Sequence, residues 1–296
     1  MTNISTLAGA AGHSAVADNG GEAGVAGDYV EPFRPYDRVV WRPSRLSAKA
    51  VIEIYEAQSY LRWRYETCFT THVTITARKL GISDQREFSR LLAQWNKEMK
   101  RWLSIDRKTP RKRWTPRTRM AIGQQHLWVY VIESSLSQGI HAHELCVVPY
   151  EQRKAFDRHV RDWWHRASCL GDLDPQAIAI RHGRPIGGTG RKRHVFWVRY
   201  ILKTAAHINF IGSDGFEHPA AEVLRLRSHD GTPDVYVAQL HGVCRALGPQ
   251  TRQRPLGNRA IERFVSPLAA GNFDHAFSDW EELACRHRTL VVQFGL

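Results

Sequence analysis

The chain contains few cysteines, and their spacing excludes two common kinds of cross-linked site. Five cysteines occur in 296 residues, at positions 68, 146, 169, 244 and 285, and no two of them form a C-x-x-C pair. An odd, scattered set argues against a disulfide framework and against a zinc ribbon. Such a set is typical of a protein kept in a reducing compartment, so we predict a cytoplasmic location.

The sequence also lacks long apolar runs and a nucleotide-binding loop. No window approaches about 18 consecutive apolar residues, which predicts no transmembrane helix and no membrane partner. Residues 1–28 have almost no large apolar side chain and lack the basic start of a signal peptide, so a disordered tail is expected there. The glycine-rich stretch 183–193 does not follow the order G-x-x-x-x-G-K-[ST], and no helicase motor is evident.

Acidic residues are scarce relative to basic ones. The chain has 42 Lys and Arg against 29 Asp and Glu, and its formal net charge is +13. This balance predicts a polyanionic partner, either nucleic acid or an anionic surface.

Two basic stretches, interrupted by proline or glycine, are predicted to be loops that contact DNA, although solvated basic loops would have the same composition. Guanidinium groups match phosphate geometry, and a tryptophan among them can stack on an unpaired base. The residues in question are Arg107, Lys108, Arg111, Lys112, Arg113, Trp114, Arg117 and Arg119 in the first stretch and Arg191, Lys192 and Arg193 in the second.

Hydrophobic periodicity predicts an α+β fold, with an antiparallel sheet and helices packed on one face. The C-terminal residues 211–296 are expected to be a basic extension of uncertain fold, with a strand at 235–237 and a short helix at 276–286. The other predicted elements are helices at 44–66, 84–104 and 150–168, strands at 69–77, 126–133, 139–149 and 176–181, and a helix that contains Tyr200.

The most informative stretch places two histidines, His141 and His143, around a single alanine in a strand-like run. Residues i and i+2 of a strand point to one face, so the two imidazoles lie side by side. A polar hairpin loop at 134–139 brings Glu133 of the preceding strand opposite His141. A carboxylate and two neutral imidazoles are an open three-ligand set for a divalent ion. Two partly buried strand histidines without a metal are the alternative.

Further along the chain, Lys203 follows Tyr200 by three residues. On a helix this spacing places both side chains on one face. The alternative is a buried aromatic residue beside a solvated lysine.

Taken in order along the chain, these motifs resemble those of the HUH endonucleases, and more narrowly the rolling-circle replication initiators with a single catalytic tyrosine. The resemblance covers residues 67–210 and implies a ferredoxin-like or RRM-like nuclease domain there. The apolar pattern before it predicts a separate helical segment at 29–66. The motifs that carry it are Phe69–Thr76 as the first motif, then Glu133 with His141 and His143, and then Tyr200 with Lys203.

The resemblance implies a metal-dependent endonuclease that nicks single-stranded DNA at a specific site and rejoins it. Tyr200 is then the nucleophile, and its attack leaves a 5′-phosphotyrosine and a free 3′-OH that primes replication of a plasmid, phage or integrated element. Lys203 is expected to hold the phosphate or to ease formation of the phenolate. The implied cofactor is Mg²⁺ or Mn²⁺ on the Glu133 and histidine set, and the implied partners are a single-stranded or hairpin origin and a host helicase.

Two alternatives remain open from the sequence. A relaxase or transposase would use the same core, and in a relaxase Tyr55, Tyr60 or Tyr65 could be the nucleophile. Relaxases usually add a third histidine a few residues after the pair, but the next histidine here is His159, which favours the initiator order. The second alternative is a non-catalytic nucleic-acid-binding protein whose histidine pair is structural.

Overall fold

A five-stranded antiparallel sheet organises the part of the chain that the computed structural model describes. No helix in that part is long and apolar enough to cross a membrane. The described residues all belong to one compact unit. They are residues 45–65, 67–103, 125–168, 172, 174–183, 189–227, 235, 239–253, 264, 266, 268–274 and 276–277.

The strand order in this sheet is not the order along the chain. Its strands are β1 (Thr71–Thr76), β2 (Trp128–Ser135), β3 (Gly139–Cys146), β4 (Ile178–His182) and β7 (His241–Val243), whereas β5 (Asn209–Ile211) and β6 (Glu217–Pro219) form a separate pair. Across the five-stranded sheet the order is β4-β1-β3-β2-β7, and every pairing is antiparallel. Strand β3 therefore lies at the centre, and the sheet takes its fifth strand from beyond residue 210.

Six helices and four short 3₁₀ turns accompany the strands among the described residues. The helices are α1 (Ala48–Tyr65), α2 (Gln85–Leu103), α3 (Arg153–Ala167), α4 (Thr189–Ile201), α5 (Ala220–Val223) and α6 (Pro249–Arg252). The 3₁₀ turns are Arg78–Leu80, Tyr150–Gln152, Lys203–Ala205 and Arg245–Leu247.

The hairpin between β2 and β3 sets the register on which the histidine pair depends. Gly139 begins β3 with φ of +67°, a conformation that residues with a Cβ rarely adopt. The backbone N–H of Gln138 donates to Ser135 Oγ at 3.1 Å and closes the turn. Glu133 is then paired with His141 across the ladder, as the sequence predicts.

Helices cover both faces of the sheet, which differs from the predicted packing on one face. On one face, Trp95 of α2 donates to Glu144 of β3, and Asp157 of α3 contacts His182 of β4. On the opposite face, the rings of Trp197 and Tyr200 in α4 contact His72. The second layer forms because this face also carries apolar side chains. These are Val129, Val131 and Leu145, all buried.

Helix α4 also begins earlier than the sequence predicts. A flexible basic loop is expected through residue 193, but the helical backbone starts at Thr189 and includes Arg191, Lys192 and Arg193. Apolar residues that recur at helical spacing after this point explain the extension, because Trp197, Val198 and Ile201 are buried against the sheet.

Several predictions concern residues outside the described set. They are the tail 1–28 and the first basic stretch, with Arg107, Lys108, Arg111, Lys112, Arg113, Trp114, Arg117 and Arg119. Most of the predicted C-terminal strand and helix also lies outside it, although Val235 forms an isolated bridge and residues 276–277 form a turn.

The core between the sheet and α2 contains two uncharged titratable groups. Burial raises the pKa of Glu144 to about 8 and lowers the pKa of His126 to about 3. Trp95 Nε1–H donates to Glu144 Oε2 at 3.0 Å, and His126 Nε2 donates to Asn96 Oδ1 at 3.0 Å. At neutral pH Glu144 and His126 are therefore both uncharged, as a buried environment requires.

We expect His126→Gln to remove a pH-dependent contribution to the free energy of unfolding. The unfolded chain binds a proton at this residue below about pH 6.5, whereas the folded protein binds it only near pH 3, so unfolding takes up a proton in that window. The wild type should lose up to about 1.4 kcal/mol relative to the variant for each pH unit below 6.5. Urea unfolding at several pH values measures this difference. Equal pH slopes for the two proteins would contradict the assignment.

Candidate metal centre

Three side chains from the β2–β3 hairpin converge on one point of the sheet. Glu133, His141 and His143 each offer a ligand atom, and these atoms all lie within 4.8 Å of one another. Glu133 Oε1 is 2.9 Å from His141 Nε2 and 2.9 Å from His143 Nε2. Strand alternation places the two imidazoles on the same face, and the hairpin register brings the carboxylate beside them.

Hydrogen bonding to the backbone determines the tautomer of His141. Its Nδ1 is 2.9 Å from the carbonyl oxygen of Gly139, which can only accept, so Nδ1 carries the hydrogen. In the neutral ring, Nε2 then presents a lone pair towards Glu133 Oε1. Two facing lone pairs are stabilised by a shared cation, and this tautomer is the one that a metal ion bound at Nε2 requires.

The second imidazole, His143, is oriented by strand β1. Its Nδ1 is 3.0 Å from Thr74 Oγ1 and 3.2 Å from His72 Nε2. Either atom can accept the Nδ1 hydrogen, which leaves Nε2 of His143 free to act as a ligand. The side chains of His72 and Thr74 were not among the predicted site residues. The alternation of His72 and Thr74 in a strand next to the histidine pair is the signal that could have identified them.

Burial and mutual contacts control the charges of these groups. Burial alone raises the pKa of Glu133, but its close contacts with His141 and His143 and the positive charge of Lys203 outweigh burial and leave the pKa well below its usual value. Burial lowers the pKa of His143 to about 4, against the opposing effect of Glu133. The carboxylate is therefore ionised and the His143 imidazole neutral at physiological pH, which are the forms that bind a metal.

The donor set fits a divalent cation. It combines one carboxylate with two neutral imidazoles, a combination that occurs with several first-row metals and leaves coordination positions open. Glu133 Oε2 is also buried and has no hydrogen-bond partner within the described residues, so this carboxylate has unused capacity as an acceptor. These three residues could hold a metal ion.

Helix α4 places Tyr200 over the same point. The Tyr200 ring centroid is 4.9 Å from that of His143 and 5.6 Å from that of His72. Tyr200 is only half-buried, so one side of the residue is open to solvent. Burial and the negative charge of Glu133 raise the pKa of its phenol, and the Arg181 guanidinium opposes them. The hydroxyl is therefore protonated in the absence of a bound cation.

Lys203 links the tyrosine to the carboxylate. It lies just past the end of α4, at the start of the 3₁₀ turn Lys203–Ala205 rather than on the helix that the spacing predicts. Its Nζ contacts Glu133 Oε1 and lies 4.1 Å from the centroid of the Tyr200 ring. Burial lowers the pKa of this ammonium, although the Glu133 carboxylate opposes the shift. A positive charge is thus already present at the carboxylate that could hold a metal.

The structure brings together the five predicted catalytic and metal-binding residues. The tyrosines of the relaxase alternative have other surroundings on α1, where the Tyr55 hydroxyl accepts the N–H of Phe277 and Tyr60 packs against Tyr65. Arg191, Lys192 and Arg193 belong to α4, the helix that carries Tyr200.

No family model, no curated protein and no solved structure matches this chain.

We expect the wild-type protein to bind Mn²⁺, and Thr74→Val to weaken that binding about tenfold. Valine keeps the shape of threonine but cannot accept the Nδ1 hydrogen of His143, and loss of such a partner typically weakens metal affinity by about 10- to 100-fold. The remaining acceptor, His72 Nε2 at 3.2 Å, keeps the expected effect near the lower limit. Isothermal titration calorimetry measures the affinity.

Two further variants complete this measurement. His141→Ala removes a ligand and should reduce affinity more than Thr74→Val does. His218→Gln changes a histidine that pairs with Asp214 on the β5–β6 hairpin and should leave affinity unchanged. If Thr74→Val bound Mn²⁺ as tightly as the wild type, Thr74 would have no role in orienting His143.

Proposed function

We propose that the protein is a metal-dependent endonuclease that nicks single-stranded DNA through Tyr200 and forms a covalent 5′-phosphotyrosine. The biological role that we propose is initiation of rolling-circle replication, in which the released 3′-OH primes synthesis. This role rests on the ordered motifs that resemble the replication initiators, and on the net charge of +13, which favours a nucleic-acid partner.

One observation carries the chemical part of this proposal. A tyrosine, a lysine and a buried three-ligand set, drawn from two separate parts of the chain, meet at one point. Tyr200 contacts His143 at 4.9 Å between ring centroids, and Lys203 contacts the same carboxylate oxygen that both histidines approach. Structural histidines in a core do not require a half-exposed phenol beside them, whereas phosphoryl transfer to a tyrosine does.

Tyr200 supplies the nucleophile in the proposed reaction. Its Oη attacks the phosphorus, the bond from phosphorus to O3′ breaks, and the new bond joins Oη to phosphorus. The phenol loses its proton, and O3′ gains one to become the free 3′-OH. The stored ester allows the 3′-OH of a later strand to reverse the step and rejoin the DNA. The half-buried position of Tyr200 leaves room for the phosphate to approach from solvent.

The surrounding residues neutralise charge at the phosphate. We propose Mg²⁺ or Mn²⁺ as the native ion, held by Glu133, His141 and His143. When bound, the ion supplies Lewis-acid stabilisation of charge on a phosphate oxygen. Lys203 donates to the phosphate once its ammonium is released from Glu133. Because Glu133 raises the pKa of Tyr200, neutralisation of the carboxylate also favours the phenolate.

The first test is formation of a covalent adduct. We expect wild-type protein, incubated with a random pool of single-stranded DNA and Mn²⁺, to give a band that survives denaturation, with mass spectrometry locating the DNA on Tyr200. Tyr200→Phe, His141→Ala and chelation of the metal should each abolish it. The phenylalanine variant keeps the ring that packs against His143 and loses only the nucleophile.

Tyr60→Phe is the matched control, because Tyr60 is a buried α1 residue and one of the three tyrosines that could serve in the relaxase alternative. It should form the adduct as the wild type does. An adduct on Tyr55, Tyr60 or Tyr65 would identify the relaxase order instead. DNA binding with no adduct, unaffected by Tyr200→Phe or by the metal, would support a non-catalytic DNA-binding protein.

Lys203→Gln should separate metal affinity from reaction rate. The ammonium contacts Glu133 and repels a divalent ion there, so its removal should raise Mn²⁺ affinity by about tenfold or more. The rate of adduct formation should nevertheless fall roughly 100-fold, because a donor to the reacting phosphate is lost.

Lys79→Gln makes the same chemical change at a lysine that contacts Gln176 and Asp174, and should alter neither quantity. A fall in both metal affinity and rate for Lys203→Gln would show that Lys203 supports the fold of the site rather than the reaction.

A further inference from the structure

An exposed aromatic side chain lies beside the proposed nucleophile. Phe196 is 50 % exposed, and five large apolar side chains are exposed among the described residues. Phe196 precedes Tyr200 by one helical turn of α4, and the two rings are stacked, with centroids 6.1 Å apart and an interplanar angle of 28°. It is the one of the five whose ring contacts Tyr200.

The packing of α4 explains why this ring is not part of the core. Trp197, Val198 and Ile201 are buried and form the apolar stripe of this helix. Phe196 lies at the margin of that stripe, so its ring adds little to the stability of the fold. An aromatic ring held in place by a neighbouring ring and open to solvent can instead stack on a ligand.

A basic side chain, Arg181, is exposed on the same face of the sheet, and together with Phe196 it forms what we call the rim of the site. Arg181 lies on the edge strand β4, is paired with His72 across the ladder and is exposed. Partners in an antiparallel pair point to one face, so Arg181 points to the face that carries the candidate metal centre. The ring of His72, its partner in the ladder, contacts the ring of Tyr200 with 5.6 Å between centroids, so Arg181 lies one strand position from the proposed nucleophile's neighbour.

We propose that Phe196 and Arg181 bind the nucleotide next to the scissile phosphate, with Phe196 stacked on its base and Arg181 on its backbone phosphate. Aromatic stacking combined with basic contacts to the backbone is the general mode of binding single strands. The base must be unpaired for its face to be available, so the ligand is single-stranded rather than duplex DNA. This inference rests on the proposed function, because that function supplies the DNA strand.

The stacking contact is tested by comparing DNA with and without bases. Fluorescence anisotropy in the presence of a chelator measures binding of labelled poly(dT) and of an abasic strand of equal length, so no cleavage is needed. The wild type should prefer poly(dT). Phe196→Leu should lower that preference at least about fivefold, as expected for loss of one stacked base. Phe196→Trp should retain it.

Tyr150→Leu is the matched control, since Tyr150 is 71 % exposed on the 3₁₀ turn before α3. It should keep the wild-type preference. An unchanged preference in Phe196→Leu would overturn the stacking contact, and so would an equal loss in Phe196→Leu and Tyr150→Leu.

The phosphate contact has a different signature. Arg181→Gln should weaken binding of poly(dT) and of the abasic strand by the same factor, because both have the same phosphates. It should also reduce the slope of log affinity against log salt concentration by roughly 0.7, the value for one phosphate of a single strand. An unchanged salt slope would overturn the role of Arg181.

Failure of this inference is distinguishable from failure of the proposed function. A normal Tyr200 adduct, with base preference unaffected by Phe196→Leu, would overturn the nucleotide site alone. Loss of base preference in Phe196→Leu, with no adduct on Tyr200, would keep the nucleotide site and overturn the nuclease.

Discussion

The contacts of one carboxylate oxygen determine the arrangement of the candidate site. Glu133 Oε1 is approached by both histidines and by Lys203 while the side chain is almost entirely buried. A buried carboxylate without partners is strongly destabilising, so these contacts are needed for the ionised form to exist here. They also link the β2–β3 hairpin to the 3₁₀ turn that follows α4. A divalent ion bound here could take the place of the Lys203 ammonium as the positive charge next to this oxygen.

Strand β3 separates two environments with opposite requirements. His141 and His143 point to the face that holds the candidate metal centre, whereas Glu144 points to the core under α2. On that core face, burial raises the pKa of Glu144 to about 8, and the group is uncharged at neutral pH. Of two acidic side chains on adjacent strands, Glu133 is thus ionised and Glu144 is neutral. The difference arises because Glu133 has a lysine and two imidazoles as partners, whereas Glu144 has only a neutral indole donor.

The solvent exposure of the side chains increases from the candidate metal ligands to Tyr200 and then to Phe196 and Arg181, which is the order that the proposed chemistry needs. The histidine pair is buried, Tyr200 is half-buried, and Phe196 and Arg181 are open to solvent. A buried ligand set fixes geometry and excludes competing water, whereas an open rim admits a polymer that is too large to enter a closed cavity. Binding of the proposed DNA strand at Phe196 and Arg181 would therefore leave the core undisturbed, and substitution of these two residues should leave the fold intact.

Local patterns in the sequence were sufficient for some parts of this molecule. The α+β class with an antiparallel sheet is confirmed. The pairing of Glu133 with His141 across the hairpin is also confirmed. The sequence could predict this pairing because the two residues are only eight positions apart and side chains alternate regularly along a strand. The early start of α4 was missed because nearby glycines favour a loop, while burial of later residues stabilises the helix. Phe196 and Arg181 were missed because nothing in their own segments marks them. The alternation of His72 with Thr74 indicates a site only once their strand is known to lie beside the histidine pair. Only the tertiary structure decided that α4 would cover the histidine face and bring Lys203 to Glu133 across 70 residues, since packing of a helix on a sheet depends on apolar surfaces far apart in the chain.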